Sequence, residues 1–317
     1  MNMKTYWQMV LAAVAMLFAA SDMAAQSGTT GYEYLSVPVS AHSAALGSQN
    51  ISIGEDDATL MFNNPALLSN VSSNTVNFDF ISYIAGSKKL AAGYVRALGD
   101  RGTWAVGAQM LTYGKMTETD ASGAEIGTFS ANDIDVQGSY AYMLSDYWSG
   151  GVSAKFLFSK YANYNAFAMA VDLGINYYNE GSGTSLSLVG RNLGGQIKAL
   201  HEERAKLPFD LAVGLSQSLA NAPIRFSVTF DDLTHWKDIN FIQHCILGVD
   251  VFPSGQTWIA LGYNFRRAHE MKALGSAHWA GFSVGAGLSI KSFKVGVAFG
   301  KYHIAASSLL ANVSYTF

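Results

Sequence analysis

The feature that most constrains this chain is an almost unbroken period-two alternation of apolar with polar or very small residues from about Thr75 to Phe317. Alternation of this kind belongs to β-strands with two different faces. It runs to the C-terminus, where Leu309, Ala311, Val313, Tyr315 and Phe317 share one face and Asn312, Ser314 and Thr316 the other. Likewise Ile224, Phe226, Val228 and Phe230 oppose Arg225, Ser227, Thr229 and Asp231, and no long helical pattern competes. A soluble sandwich also alternates, but only 14% of the 317 residues are charged, against about 25% in soluble domains.

Fourteen strands fit the pattern, near 75–83, 90–98, 103–113, 134–144, 150–161, 166–178, 184–193, 208–219, 224–236, 244–252, 257–267, 280–291, 293–301 and 309–317. Their connections sort by parity. The even-numbered ones are short turns, whereas the odd-numbered ones include the long segments Gly114 to Asp133, Gly194 to Leu207, Lys237 to Gln243 and Ala268 to Trp279. Short turns at one end, long loops at the other and an even strand count are the pattern of outer-membrane barrels. Hydrocarbon leaves backbone polar groups no external partner, so strands cross it only in a closed sheet. The expected fold is therefore all-β: a transmembrane antiparallel outer-membrane β-barrel of about fourteen strands. Trp104, Trp148, Trp236, Trp258 and Trp279 sit near strand ends, where interfacial aromatic girdles are expected.

Three regions follow. Residues 1–25 read as an export signal, with Lys4 before an apolar stretch from Met9 to Ala20 and small residues at Ala24 and Ala25. Residues 26–74 are long, poor in periodicity and moderately apolar, and are expected to plug the lumen, because a barrel of this size is wider than a packed eight-stranded core. Residues 75–317 form the barrel, with both termini and the short turns periplasmic and the long loops extracellular.

Composition excludes other classes. A net charge of −3 offers no basic field for nucleic acid, and the single Cys245 supplies neither a disulfide nor a thiolate zinc site. Gly281-Phe282-Ser283-Val284-Gly285 matches a nucleophile-elbow pattern, but alternation runs straight through it, making Ser283 a lumen-facing strand residue. The seven histidines, at positions 42, 201, 235, 244, 269, 278 and 303, lack metal-ligand spacing and read as solvated loop residues. Asp56, Asp57 and Asn63 lack the spacing of a calcium loop and read as capping and turn residues, with Asn64 and Pro65. No catalytic residue, cofactor site or metal site is expected.

Asp79, Lys155, Asp172, Arg191, Asp210, Arg225, Asp231, Asp250 and Lys294 fall on the inward face. Their mixed signs favour a network tying wall to plug, the alternative being a polar conduit. Gly93, Gly107, Gly138, Gly174 and Gly214 mark either wall kinks or a crowded interior. Partner contacts are expected on the charged loops, at Lys115, Glu118, Asp120, Glu202, Glu203, Arg204, Arg266, Arg267 and Lys272. The bland reading of such charges is simple solvation or contact with surface polysaccharide.

One further set of residues carries a resemblance. Asp56-Asp57-Ala58 is followed by Asn64-Pro65-Ala66-Leu67-Leu68 just ahead of the first strand and after Ala45-Leu46-Gly47, and this resembles the FadL-like outer-membrane barrels. Tyr32-Glu33-Tyr34-Leu35, Pro38, Ala44-Ala45-Leu46-Gly47, Tyr113-Gly114 and Gly127-Thr128-Phe129 are similar, more narrowly, to the PorV and PorQ group of the type IX secretion system. That resemblance implies a non-enzymatic docking role beside PorZ-like, PorU-like and PorV-like partners, in a complex that anchors cargo to surface lipopolysaccharide. The alternative it leaves open is a FadL-like transporter of hydrophobic molecules.

Overall fold

A computed structural model describes residues 31–200, 204–236, 239–271, 279–303 and 306–317; the signal segment lies outside them. The strands are β1 (Thr75–Ser82), β2 (Lys88–Leu98), β3 (Gly102–Thr119), β4 (Glu125–Met143), β5 (Trp148–Tyr161), β6 (Tyr164–Asn179) and β7 (Thr184–Lys198). They continue as β8 (Asp210–Ser218), β9 (Ile224–Phe230), β10 (Cys245–Ser254), β11 (Thr257–Asn264), β12 (Phe282–Ile290), β13 (Phe293–His303) and β14 (Ala306–Thr316). Each pairs antiparallel with its sequence neighbours, and β1 pairs with β14 from Thr75↔Thr316 to Ser82↔Leu309, closing a fourteen-stranded barrel. Closure leaves no unpaired sheet edge.

The burial pattern is the inverse of a soluble fold. On β9, Phe226 is 46% exposed while Arg225, Ser227 and Thr229 are buried. On β12 to β14, Val284, Val297 and Val313 face outward and Ser283, Ala298 and Ser314 face inward. An outward apolar band is stable only where lipid solvates it.

Residues 31–74 form no strand. They carry a short α-helix, Ala41–Ala45, and 3-10 turns at Glu33–Ser36, Ala58–Phe62 and Pro65–Asn70. Ser40, Asp57 and Asn64 cap these turns by accepting from the backbone N–H groups of Ser43, Thr59 and Ala66. Pro65 stands at a first-turn position where no N–H donor is required. Ala41, Ala45, Leu46, Ile51, Ile53, Leu60, Met61, Leu67 and Leu68 are all almost fully buried. Side chains of this segment touch the inner faces of strands on opposite sides of the ring, Met61 beside Gly93 and Gly107, Ile51 beside Gly214 and Leu46 beside Gly248. A segment meeting the inner face on opposite sides of a closed ring occupies the lumen.

Two sequence expectations change. The stretch from Gly114 to Asp133 is not a loop: β3 and β4 pair from Lys115↔Ser130 to Thr119↔Glu125, leaving a turn of only Asp120 to Ala124. A register shift between Thr112 and Lys115, with Gly114 at φ 77°, breaks the alternation there and disguises the strand as a loop. Trp258 is not a girdle residue, because it points inward and stacks on His42 with ring centroids 3.8 Å apart. Trp148, Trp236 and Trp279 are exposed.

Candidate functional site

Among the described residues, two clusters of ion pairs inside the barrel hold the lumenal segment to the wall. Toward the short-turn end, His42 of the lumenal segment lies between two carboxylates, its Nδ1 2.7 Å from Glu55 Oε2 and its Nε2 2.6 Å from Asp250 Oδ1. Arg225 closes the ring, donating from Nε to Asp250 Oδ2 at 2.8 Å and from Nη2 to Glu55 Oε1 at 2.5 Å. Burial opposes the imidazolium, but the two carboxylates outweigh it and push the His42 pKa up to about 9. Burial likewise opposes the Glu55 carboxylate, and the charges of Arg225 and His42 hold it well below its usual range. The ring ties the segment, through His42 and Glu55, to β9 and β10.

Toward the long-connection end, Arg191 of β7 holds Asp210 and Asp231, the latter at 2.5 Å, and donates from Nη1 to Gln49 Oε1 of the lumenal segment at 2.6 Å. Beside it Lys155 pairs with Asp172 at 2.6 Å and donates to Asn192 Oδ1 at 3.0 Å. These groups border a cavity of about 340 Å³ that runs from buried Gln109 and Lys155 to a rim formed by His235 and Arg266. Lys294 pairs with Asp56 at 2.5 Å, so Arg191, Arg225, Asp250 and Lys294 join wall to segment, whereas Lys155 pairs with Asp172, and Arg191 also with Asp210 and Asp231, within the wall. Asp79 differs, because its contact is with Asn77 of its own strand.

On the opposite side of the wall, β1 to β4 and β14 carry an apolar hollow of about 560 Å³. Ala92, Ala108 and Ala311 are small where Phe78, Phe80, Leu90 and Met110 around them are large, which leaves the depression. Gln109 borders both this hollow and the lumenal cavity.

The partner residues expected from the sequence scatter. Lys115, Glu118 and Asp120 are exposed on the β3–β4 hairpin, and Arg204 is exposed. Asp120 accepts from Ser122 Oγ and the Ala124 backbone N–H, hydrogen bonds that hold its carboxyl below the usual range. Arg266 pairs with Asp232 and, at 2.7 Å, with Glu270. Arg267 is a correction: it is buried, donates to Ser48 Oγ at 3.0 Å and lies over the Tyr302 ring, because its short helix turns it toward the lumenal segment. Glu202, Glu203 and Lys272 lie outside the described residues.

Two histidines also depart from the solvated reading. His42 sits in the ion ring above, and His244 is buried with Nδ1 2.8 Å from the Asp231 carbonyl. His235 and His269 are exposed; His201 and His278 lie outside the described residues. Ser283 is lumen-facing as expected and donates to the Ala45 carbonyl at 3.0 Å. Sequence reasoning missed Lys89, which is fully buried and donates to the Tyr34 and Val37 carbonyls at 3.0 and 2.5 Å. It also missed Asp133, which accepts from Tyr113, Ser159 and Tyr161 on the inner wall.

No family model and no curated protein matches the sequence. Solved structures do match. The toluene transporter TodX of Pseudomonas putida superposes with a TM-score of 0.58 at 13% identity, covering 88% of this chain and 97% of that one. The toluene transporter TbuX of Ralstonia pickettii gives 0.57 at 12%, covering 90% and 100%. A FadL homologue of Pseudomonas aeruginosa gives 0.53 at 12%, covering 88% and 98%. At these identities the likeness is one of fold. Together with the closed wall and its outward apolar band, it makes this chain an integral outer-membrane β-barrel. Its architecture is the fourteen-stranded FadL type.

Proposed function

We propose that this chain is a FadL-like, non-enzymatic outer-membrane transporter that moves small hydrophobic molecules between its lumen and the bilayer. The observation that carries the reading is the apolar hollow on the lipid face of β1 to β4 and β14, which backs onto the lumenal cavity across a wall one strand thick, with Gln109 bordering both. A hydrophobic molecule partitions into an apolar depression for the same reason that it leaves water. The fold likeness to hydrocarbon transporters supports it. Ala108→Phe would fill the hollow from the lipid side. Native mass spectrometry of the purified barrel is expected to show retained lipid or hydrocarbon, reduced in that variant, and uptake of a monoaromatic hydrocarbon is expected to fall with it. Equal retention and uptake in both proteins would sink the proposal.

The β3–β4 hairpin favours a second reading, the docking role implied by resemblance to the PorQ group. Pairing with β2 ends at Thr112 and pairing with β5 ends at Ala131, so the strand pair from Lys115 to Ser130 stands clear of the wall and presents Lys115, Glu118 and Asp120. Under that reading the partners are PorZ-like, PorU-like and PorV-like proteins and anionic lipopolysaccharide, with the hairpin extracellular and both termini periplasmic. Crosslinking a tagged copy in cells distinguishes the two. Recovery of those partners and loss of cargo attachment on deletion support docking, and recovery of the barrel alone with bound lipid supports transport.

A further inference from the structure

The cavity beside Arg191 has a chemistry that hydrophobic transport does not use. Beside apolar residues such as Leu35, Val37, Val39, Phe62 and Phe209, it is lined by amides, carboxylates and cations. Four carboxylates line it, Glu33, Asp210, Asp231 and Asp232, against three cations, Lys155, Arg191 and Arg266. Each of those cations already holds a carboxylate, so none is left to draw in an anion.

The groups are also held in place before any ligand arrives. Arg191 is fixed by Gln49 and two aspartates, and Asn192 is fixed by Lys155 on its Oδ1 and by the Pro208 carbonyl on its Nδ2. Gln109, 4% exposed, donates from Nε2 to Asp135 at 2.7 Å, and that bond fixes the amide. Its Oε1 then makes no hydrogen bond among the described residues. A buried acceptor without a donor costs free energy until a donor reaches it.

We propose that this cavity is a binding site for a neutral sugar ring, entered from the long-connection end of the barrel between His235 and Arg266. A sugar matches each property of the lining. Its hydroxyls supply the donor that Gln109 lacks and serve the carboxylates, its lack of charge suits a lining whose cations are already paired, and its C–H face packs on Phe209. The volume of about 340 Å³ accommodates one or two rings. This site lies on the lumenal side of the wall and shares only Gln109 with the hollow on the lipid face.

The test uses the full chain purified in dodecyl-dimethylamine oxide, which has no sugar headgroup, and saturation-transfer difference NMR. The ligands are glucose, galactose, mannose and their disaccharides, set against glucuronate and spermidine. At least one neutral sugar is expected to show transfer and the charged compounds none. Gln109→Leu is expected to weaken binding about tenfold, the loss of one buried hydrogen bond, with the heat-dependent gel shift of the barrel retained. Phe209→Ala, at the cavity edge, supplies an independent variant should Gln109→Leu lose that shift. Absence of transfer from every neutral sugar overturns the proposal. Preference for spermidine or glucuronate overturns it in favour of a charged ligand, and sugar binding unchanged in the folded variants overturns the assignment to this cavity.

Discussion

His42 Nε2 meets the Asp250 carboxylate at 2.6 Å across 208 residues of sequence, and this contact fastens the lumenal segment to β10. Because the His42 pKa is raised from 6.5 to about 9 in the folded protein, its contribution is fully present below pH 6.5 and is lost as pH rises through 9. Glu55 works the other way. Its folded value is depressed, so its contribution is present above 4.5, its ordinary value, and fades as pH falls further. The segment is therefore expected to be held best between about pH 4.5 and 6.5. Hydrogen exchange of residues 41–55 in the detergent-solubilised barrel should rise between pH 6.5 and 9 beyond the intrinsic rate, and His42→Gln should abolish that pH dependence. A flat profile in the native protein would show that the imidazolium does not fasten the segment.

Lys89 is a second fastening of a different kind, a buried ammonium capped by the Tyr34 and Val37 carbonyls. Lys89→Met keeps the stem and removes the donor, stranding two buried carbonyls at about 1–3 kcal/mol. Protease cleavage near Tyr34 to Val37 is expected to speed up while the heat-dependent gel shift, which reports the wall, persists. Unchanged cleavage would mean that the Lys89 ammonium does not hold this stretch.

The wall was legible in the sequence because a strand writes its two faces into every second residue, and lipid on one side with a packed lumen on the other keeps that contrast sharp from Thr75 to Phe317. The inward charges were legible for the same reason, since Arg191 and Arg225 fall on the polar beat of apolar strands. Their partners were not. Nothing in local spacing links His42 to Asp250 or Gln49 to Arg191, because those pairings follow from the path of an aperiodic segment through the lumen. The β3–β4 hairpin was hidden by the bulge at Gly114, and Arg267 by a short helix that reverses the direction its loop position suggests.

The glycines of the wall separate crowding against the lumenal segment from strand flexibility. A Cβ built at Gly151 would lie 2.4 Å from the Ala66 backbone nitrogen, and one at Gly174 would lie 2.0 Å from Asn64 Oδ1. Gly138 lies on the outward face opposite exposed Val106, and a Cβ there would meet nothing within 4 Å. Gly151→Val is therefore expected to cost about 1–3 kcal/mol by pushing out the Asn64-Pro65-Ala66 turn, whereas Gly138→Ala should stay within about 0.5 kcal/mol of the native protein. Denaturant unfolding in micelles measures both. Equal effects would indicate that these glycines serve strand flexibility and not the fit of the segment.

The outward face carries its own prediction. Val297, 52% exposed in the middle of β13, contacts lipid if the apolar band spans the bilayer. An arginine there places a charge in hydrocarbon at about 2–4 kcal/mol, a cost that falls toward zero near the interfaces. Val297→Arg is expected to destabilise the barrel by that amount in lipid vesicles, and Phe293→Arg, at the first residue of the same strand, by about 1 kcal/mol or less. The pair tests the placement of the membrane directly, since both positions are exposed and apolar and differ chiefly in depth. Equal penalties at the two sites would mean that the hydrocarbon is not centred on the band defined by Val284, Val297 and Val313.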